Sequence, residues 1–121
     1  ESPVFCRKIH RRVIKAFRVK DLQSIKQLEK YSVSGYLLDT FSDNLHGGTG
    51  KIFDWNLALP AKKMGPVILA GGLTARNILQ AIRQARPYGV DVCSGVEKLP
   101  GVKDPEKVRA FLKNIRSGSK L

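Results

Sequence analysis

The sequence predicts an α/β fold with parallel strands, on three observations. Short, nearly continuous apolar runs end in glycine or polar residues, as buried parallel strands do where they leave a core. Amphipathic stretches with helix-start residues lie between those runs. The two kinds of segment alternate at short intervals along the chain, which implies right-handed crossovers between neighbouring strands.

Each element follows in turn. Val4, Phe5 and Ile9 can share one face of an opening helix. Val13-Ile-Lys-Ala-Phe-Arg-Val19 is rich in branched and aromatic side chains and reads as a strand. Asp21 can cap a helix with Leu22, Ile25 and Leu28 on one face. Gly35-Tyr-Leu-Leu-Asp-Thr40 is the next strand, followed by a loop with Gly47, Gly48 and Gly50. Asp54 caps a short helix through Trp55, Leu57 and Leu59. Pro66-Val-Ile-Leu-Ala-Gly-Gly72 is a third strand, and Thr74 caps a helix over residues 75–85. Gly89-Val-Asp-Val-Cys-Ser-Gly95 is a fourth. Asp104-Pro105 starts a last helix with Val108, Phe111, Leu112 and Ile115 as its buried stripe. Four strand-plus-helix units make either a small flavodoxin-like sheet or half of a (β/α)₈ barrel, because a whole barrel needs ~200 residues or more.

Composition bounds the function. The 121 residues suit one domain, and 42% hydrophobic content supports a packed core. No apolar run approaches the ~20 residues of a membrane span, and the first residues carry no signal-peptide pattern. The expectation is a cytoplasmic protein without a membrane partner. Cys6 and Cys93 are far apart and form no CxxC pair, which speaks against zinc or a disulfide scaffold and for two small buried thiols. The net charge of +12 invites a polyanionic partner. The basic residues are spread along the chain without interleaved aromatics, so a solvated basic surface is favoured over nucleic-acid binding.

Chemistry in parallel α/β folds sits at the carboxyl ends of the strands. Asp39 ends an apolar strand, where partial desolvation favours the protonated acid that general-acid chemistry needs; a plain capping role is the alternative. Gly71-Gly72 and Ser94-Gly95 can present backbone amides to a phosphate, or can simply make tight turns. Asp91 lies inside an apolar strand and must face a polar site or a partner. His10 and His46 are not spaced as metal ligands. His46-Gly-Gly-Thr-Gly-Lys51 fails as a P-loop, because Leu45 and Ile52 stand where glycine and Ser or Thr are required.

Five segments, taken in order, are more specific. They are Leu37-Leu-Asp-Thr40, Gly47-Gly-Thr-Gly-Lys-Ile-Phe-Asp-Trp55, Ile68-Leu-Ala-Gly-Gly-Leu73, Val90-Asp-Val-Cys-Ser-Gly-Val-Glu97 and Pro100-Gly-Val-Lys-Asp104. Together, over residues 6–115, they closely resemble the phosphoribosylanthranilate isomerases. The resemblance implies the C-terminal half of a TIM (β/α)₈ barrel, strands five (13–19), six (36–40), seven (67–71) and eight (90–94), with the N-terminal half absent from a single partial domain over residues 1–121. It implies an aldose–ketose isomerase of tryptophan biosynthesis, using no cofactor and no metal, that acts on a phosphorylated small molecule. By resemblance Asp39 is the general acid, Gly47 and Gly48 flank the substrate, and Gly71, Gly72, Ser94 and Gly95 hold its phosphate. Asp91 takes a supporting polar role. The family's general base is a cysteine in a Lys-Ile-Cys-Gly-like motif on strand one, and an arginine for the anthranilate side belongs to the same first half; neither motif occurs here. Cys93 stands where the family usually has serine. The chain alone is thus expected to be inactive and to need the missing half-barrel, in the same or another chain. The competing class is a basic α/β module that binds nucleotide or nucleic acid without catalysis.

Overall fold

The four apolar runs become four parallel strands of one sheet. The structure, a computed structural model, describes residues 1–39 and 54–118. Strands β1 (Ile14–Arg18), β2 (Gly35–Asp39), β3 (Val67–Ala70) and β4 (Gly89–Val90) lie side by side in chain order. The order advances in one direction and never reverses, so the flavodoxin-like arrangement, with its reversal beside the first strand, is set aside. One-way winding with right-handed crossovers keeps the helices on one face, as in a TIM-like fold.

That face carries the core. Leu38, Val67 and Leu69 are fully buried against Ile25, Leu28, Trp55, Ala58, Ile78, Ala81 and Phe111 of the helical layer. Each such leucine contributes about 1.5–3 kcal/mol relative to exposure. Phe17 also points this way, edge-on to Tyr31 at 5.0 Å between ring centroids. The opposite face is set by register. Ile14 lies beside Gly35, Ala16 beside Leu37 beside Ile68, and Arg18 beside Asp39 beside Ala70. There Ile14 is 56% exposed, Ala16 and Arg18 are exposed, and Leu37 and Ile68 are only half-buried.

The helices start where short-range chemistry starts them. Helix α1 (Pro3–Lys8) is capped by the Ser2 hydroxyl, and α2 (Leu22–Lys26) by Asp21. The Asp54 carboxylate accepts from the Asn56 amide before the turn that leads into α3 (Ala58–Ala61). Helix α4 (Ile78–Ala85) begins three residues later than the Thr74 cap suggests. The Thr74 carbonyl already accepts from Ile78, and Asn77 folds its side chain back to the Thr74 amide at 2.8 Å. The intervening turn is therefore tightened rather than regular helix. Helix α5 (Pro105–Gly118) is capped by Asp104, whose carboxylate accepts from Glu106 and Lys107.

Several expectations need correction. The fourth strand ends at Val90, because the backbone turns at Cys93 into a 3₁₀ segment, Ser94–Val96. Asp91 is therefore not inside a strand; it is exposed just beyond β4, its amide still bonded to the Leu69 carbonyl at 2.9 Å. In α1 the buried residue is Cys6, while Val4 and Phe5 are about half exposed. Leu22 and Leu112 are also exposed, so their stripes are only partly covered. Cys93 is exposed rather than buried. A hairpin of β5 (Glu97–Leu99) and β6 (Val102–Lys103) was not expected; Pro100-Gly101 turns it, with φ +79° at Gly101. No helix among the described residues is long and apolar enough to cross a membrane.

Candidate active site

The carboxyl ends of β1 to β4 form one edge of the sheet, and most of the candidate residues lie along it. Parallel register brings them there because each strand stops at about the same level. At the end of β2, directly after buried Leu38, stands half-buried Asp39. Its backbone carbonyl accepts from the amide of fully buried Val19 at 3.0 Å, which fixes the strand end and hence the root of the carboxylate. Arg18 and Ala70 flank Asp39 in register on the same face.

Next to it, β3 ends at buried Ala70, and Gly71 and Gly72 follow with φ +85° and +63°. Two successive left-handed residues are open to glycine and strained for other residues, and they turn the backbone sharply outward. Asn77 braces that turn: its amide nitrogen donates to the Gly72 carbonyl at 2.9 Å. The loop then dives back into the core at Leu73.

The exit of β4 meets the same place. A methyl group built on Gly95 would strike the Leu73 carbonyl oxygen and crowd the Thr74 side chain. The two glycine-bearing exits are therefore in contact, and Gly95 has a packing reason to be glycine besides any ligand. Ser94 is exposed beside it. Lys103 holds this corner from the hairpin. Its ammonium donates to the Cys93 carbonyl at 3.0 Å and to Glu97 at 2.8 Å, and lies 3.6 Å from the Cys93 sulfur. The hydrogen bond from Lys103 draws the Glu97 carboxyl below its ordinary range, and the same bond raises Lys103.

Asp39, Gly71, Gly72, Asp91, Ser94 and Gly95 thus share one end of the sheet. Gly47 and Gly48, like His46, lie outside the described residues. Asn77 and Lys103 escaped the sequence reading. The first had a usable signal, a Thr-x-x-Asn spacing that mimics a capping box; the second depends on a hairpin contact that no local pattern announces. Among the described residues no group of three or more His, Cys, Asp or Glu side chains is placed to hold a metal. A concavity of about 690 Å³ runs along α5, lined by Arg109, Leu112, Lys113, Arg116 and Ser117, and none of the strand-end residues lines it.

A left-handed glycine turn, a second glycine exit packed beside it and a carboxylate one strand away can grip an anion and exchange a proton with the molecule that bears it. The family model for N-(5'phosphoribosyl)anthranilate (PRA) isomerase matches residues 3–114. An N-(5'-phosphoribosyl)anthranilate isomerase from Geotalea uraniireducens is 59% identical over 116 residues, covering 96% of this chain and 57% of that protein. The crystal structure of the phosphoribosyl anthranilate isomerase from Thermotoga maritima superposes with a TM-score of 0.83 at 39% identity, over 97% of this chain and 58% of the other. Another solved isomerase, in complex with reduced 1-(o-carboxyphenylamino)-1-deoxyribulose 5-phosphate, gives 0.77 at 35% identity, over 97% and 56%. The chain spans a little over half the length of these relatives, and it belongs to the N-(5'phosphoribosyl)anthranilate isomerase family.

Proposed function

We propose that this chain supplies strands five to eight of a (β/α)₈ barrel that isomerises N-(5'-phosphoribosyl)anthranilate, with Asp39 as the general acid. The observation that carries the proposal is the shared sheet edge: Asp39 stands one strand away from the Gly71-Gly72 turn, and Gly95 packs against Leu73, the residue that follows that turn. The exposed or half-buried apolar residues of the open sheet face support the half-barrel, since Ile14, Ala16, Leu37 and Ile68 would fill the barrel interior once four more strands closed it. The missing half, in the same or another chain, is then the partner.

The chemistry follows from the parts. Backbone amides near Gly71, Gly72, Ser94 and Gly95 hold the 5'-phosphate, and Gly47 and Gly48 belong to the loop that flanks the substrate. Asp39 donates a proton to the ribose ring oxygen. The C1–O bond breaks as the nitrogen lone pair forms the C1=N bond of a Schiff base. A base from the first half takes the C2 proton; the C2–H electron pair forms the C1=C2 bond of an enol as the C1=N π pair returns to nitrogen, and the enol tautomerises to the ketone as C1 takes up a proton. Asp91 contributes polarity at the edge. No residue described here serves as the base.

The test joins this chain to the first half of the Geotalea uraniireducens relative and follows substrate fluorescence. The joined protein should turn over substrate and the isolated chain should not. Asp39→Asn should lower kcat by about 10²–10⁴-fold, the usual contribution of a positioned acid. Undiminished turnover by Asp39→Asn would remove the carboxyl from its role.

A further inference from the structure

The hairpin of β5 and β6 adds no strand to the parallel sheet, yet it sends one side chain back to the exit of β4. Lys103 is the register partner of Glu97, and its ammonium donates to the Glu97 carboxylate at 2.8 Å. That ion pair is enough to tie the two strands together. The same ammonium also donates to the Cys93 carbonyl at 3.0 Å, 10 residues back along the chain. The hairpin itself is anchored. The Asp104 amide donates to the Val96 carbonyl at 2.8 Å, and Lys107 of α5 donates to the Glu97 carbonyl at 2.6 Å. Lys103 therefore reaches the β4 exit from a fixed base.

The peptide group it grips joins Cys93 to Ser94. That peptide is trans, so its C=O and the following N–H point in opposite directions. Holding the Cys93 carbonyl towards the hairpin turns the Ser94 N–H away from it. Among the described residues that N–H donates to no group, whereas the nearby Val96 amide turns back to the Cys93 carbonyl. A cation on the carbonyl also polarises the peptide and makes its N–H a stronger donor. An aimed, polarised and unengaged amide suits an anion.

Resting on the isomerase reading above, we infer that Lys103 is a positioning residue for the phosphate: it orients and polarises the Ser94 amide and does not itself touch the substrate. With the Cys93 carbonyl released, the Cys93–Ser94 peptide can rotate and phosphate affinity falls. Proton transfer at Asp39, two strands away, is untouched.

The test uses the joined protein and two competitive inhibitors. One is reduced 1-(o-carboxyphenylamino)-1-deoxyribulose 5-phosphate; the other is the same compound without its phosphate. Lys103→Met keeps an aliphatic stem and removes the ammonium. It should weaken the phosphorylated inhibitor roughly 10-fold or more, the scale of a lost hydrogen bond from a charged group. KM should rise and kcat should stay near wild type. The phosphate-free compound should bind as before. Lys103→Arg, which can still donate to the carbonyl, should recover part of the loss. Lys98→Met removes a charge from an exposed position of the same hairpin and should change neither inhibition constant, which separates orientation from long-range attraction. Glu97→Gln loosens the ammonium without removing it. It should show the same split in smaller measure, and it decides the matter if Lys103→Met does not fold. Equal weakening of both inhibitors, no weakening of either, or an equal cost for Lys98→Met would overturn the assignment while leaving the isomerase reading intact. A joined wild-type protein without turnover refutes the isomerase reading, and this inference falls with it.

Discussion

A methyl group on Gly95 has no room, whereas one on Gly101 meets nothing within 4 Å. The contrast separates two reasons for a glycine. At Gly101 the only obstacle is the backbone, with φ +79°, so Gly101→Ala should cost about 1 kcal/mol. At Gly95 the Leu73 carbonyl must move, and overpacking of that kind costs about 1–3 kcal/mol. Displacing Leu73 also displaces the Gly71-Gly72 turn beside it. Urea unfolding of the joined protein should therefore show the larger loss for Gly95→Ala, accompanied by a higher KM for the phosphorylated substrate. Gly101→Ala should leave KM alone. A Gly95→Ala protein with normal KM would mean that the loop contact does not shape the phosphate cradle.

Among the elements, three of the helix starts were legible and helix coverage was not. Asp21, Asp54 and Asp104 each cap as their position predicts, because a cap is settled within four residues. Asp21 shows the physics: the Ser24 amide donates to it at 2.7 Å and the Ser24 hydroxyl at 2.8 Å, and these bonds hold its carboxyl below the ordinary Asp value. A depressed folded pKa stabilises above the unfolded value and is lost as pH falls through the folded one. The stability difference between wild type and Asp21→Ala should thus be present at pH 7 and shrink on acidification below about pH 4. Thermal unfolding at stepped pH checks this; a difference that persists unchanged in acid would deny the cap its charge. Coverage is another matter. The periodicity of Leu22, Val4 and Leu112 announced apolar stripes, yet these residues are 58%, 52% and 47% exposed. Spacing along one helix says which residues share a face; only the neighbouring element decides whether that face is covered. The hairpin of residues 97–103 was missed for a related reason, since Glu97-Lys98-Leu99 has no strand-like alternation and only the Pro-Gly turn marked it. The place of Asp39 at a strand end was legible because a carboxylate ends an apolar run, but the place of Arg18 beside it became visible only through the strand register.

For the whole molecule, the open sheet decides behaviour. Among the described residues β1 pairs only with β2 and β4 only with β3, so each presents an unpaired edge, and between them lies a half-covered apolar face. Unpaired edges with apolar neighbours recruit other strands. The isolated chain should therefore self-associate, and a polypeptide supplying the first half should compete with that association. Its charge opposes it: 22 Lys and Arg residues against 10 Asp and Glu leave copies that repel one another. Screening weakens the repulsion over about 10 Å at 0.1 M salt, so self-association should strengthen as salt rises. That sign is diagnostic, because binding to a nucleic acid through the same charges would weaken with salt. Ile14→Lys places a charge at the start of the exposed β1 strand and should suppress self-association while also impairing pairing with the first half. Sedimentation velocity across a salt series measures all three effects. A wild-type chain that stays monomeric at every salt concentration, with Ile14→Lys indistinguishable from it, would show that this face needs no cover and would undercut the half-barrel.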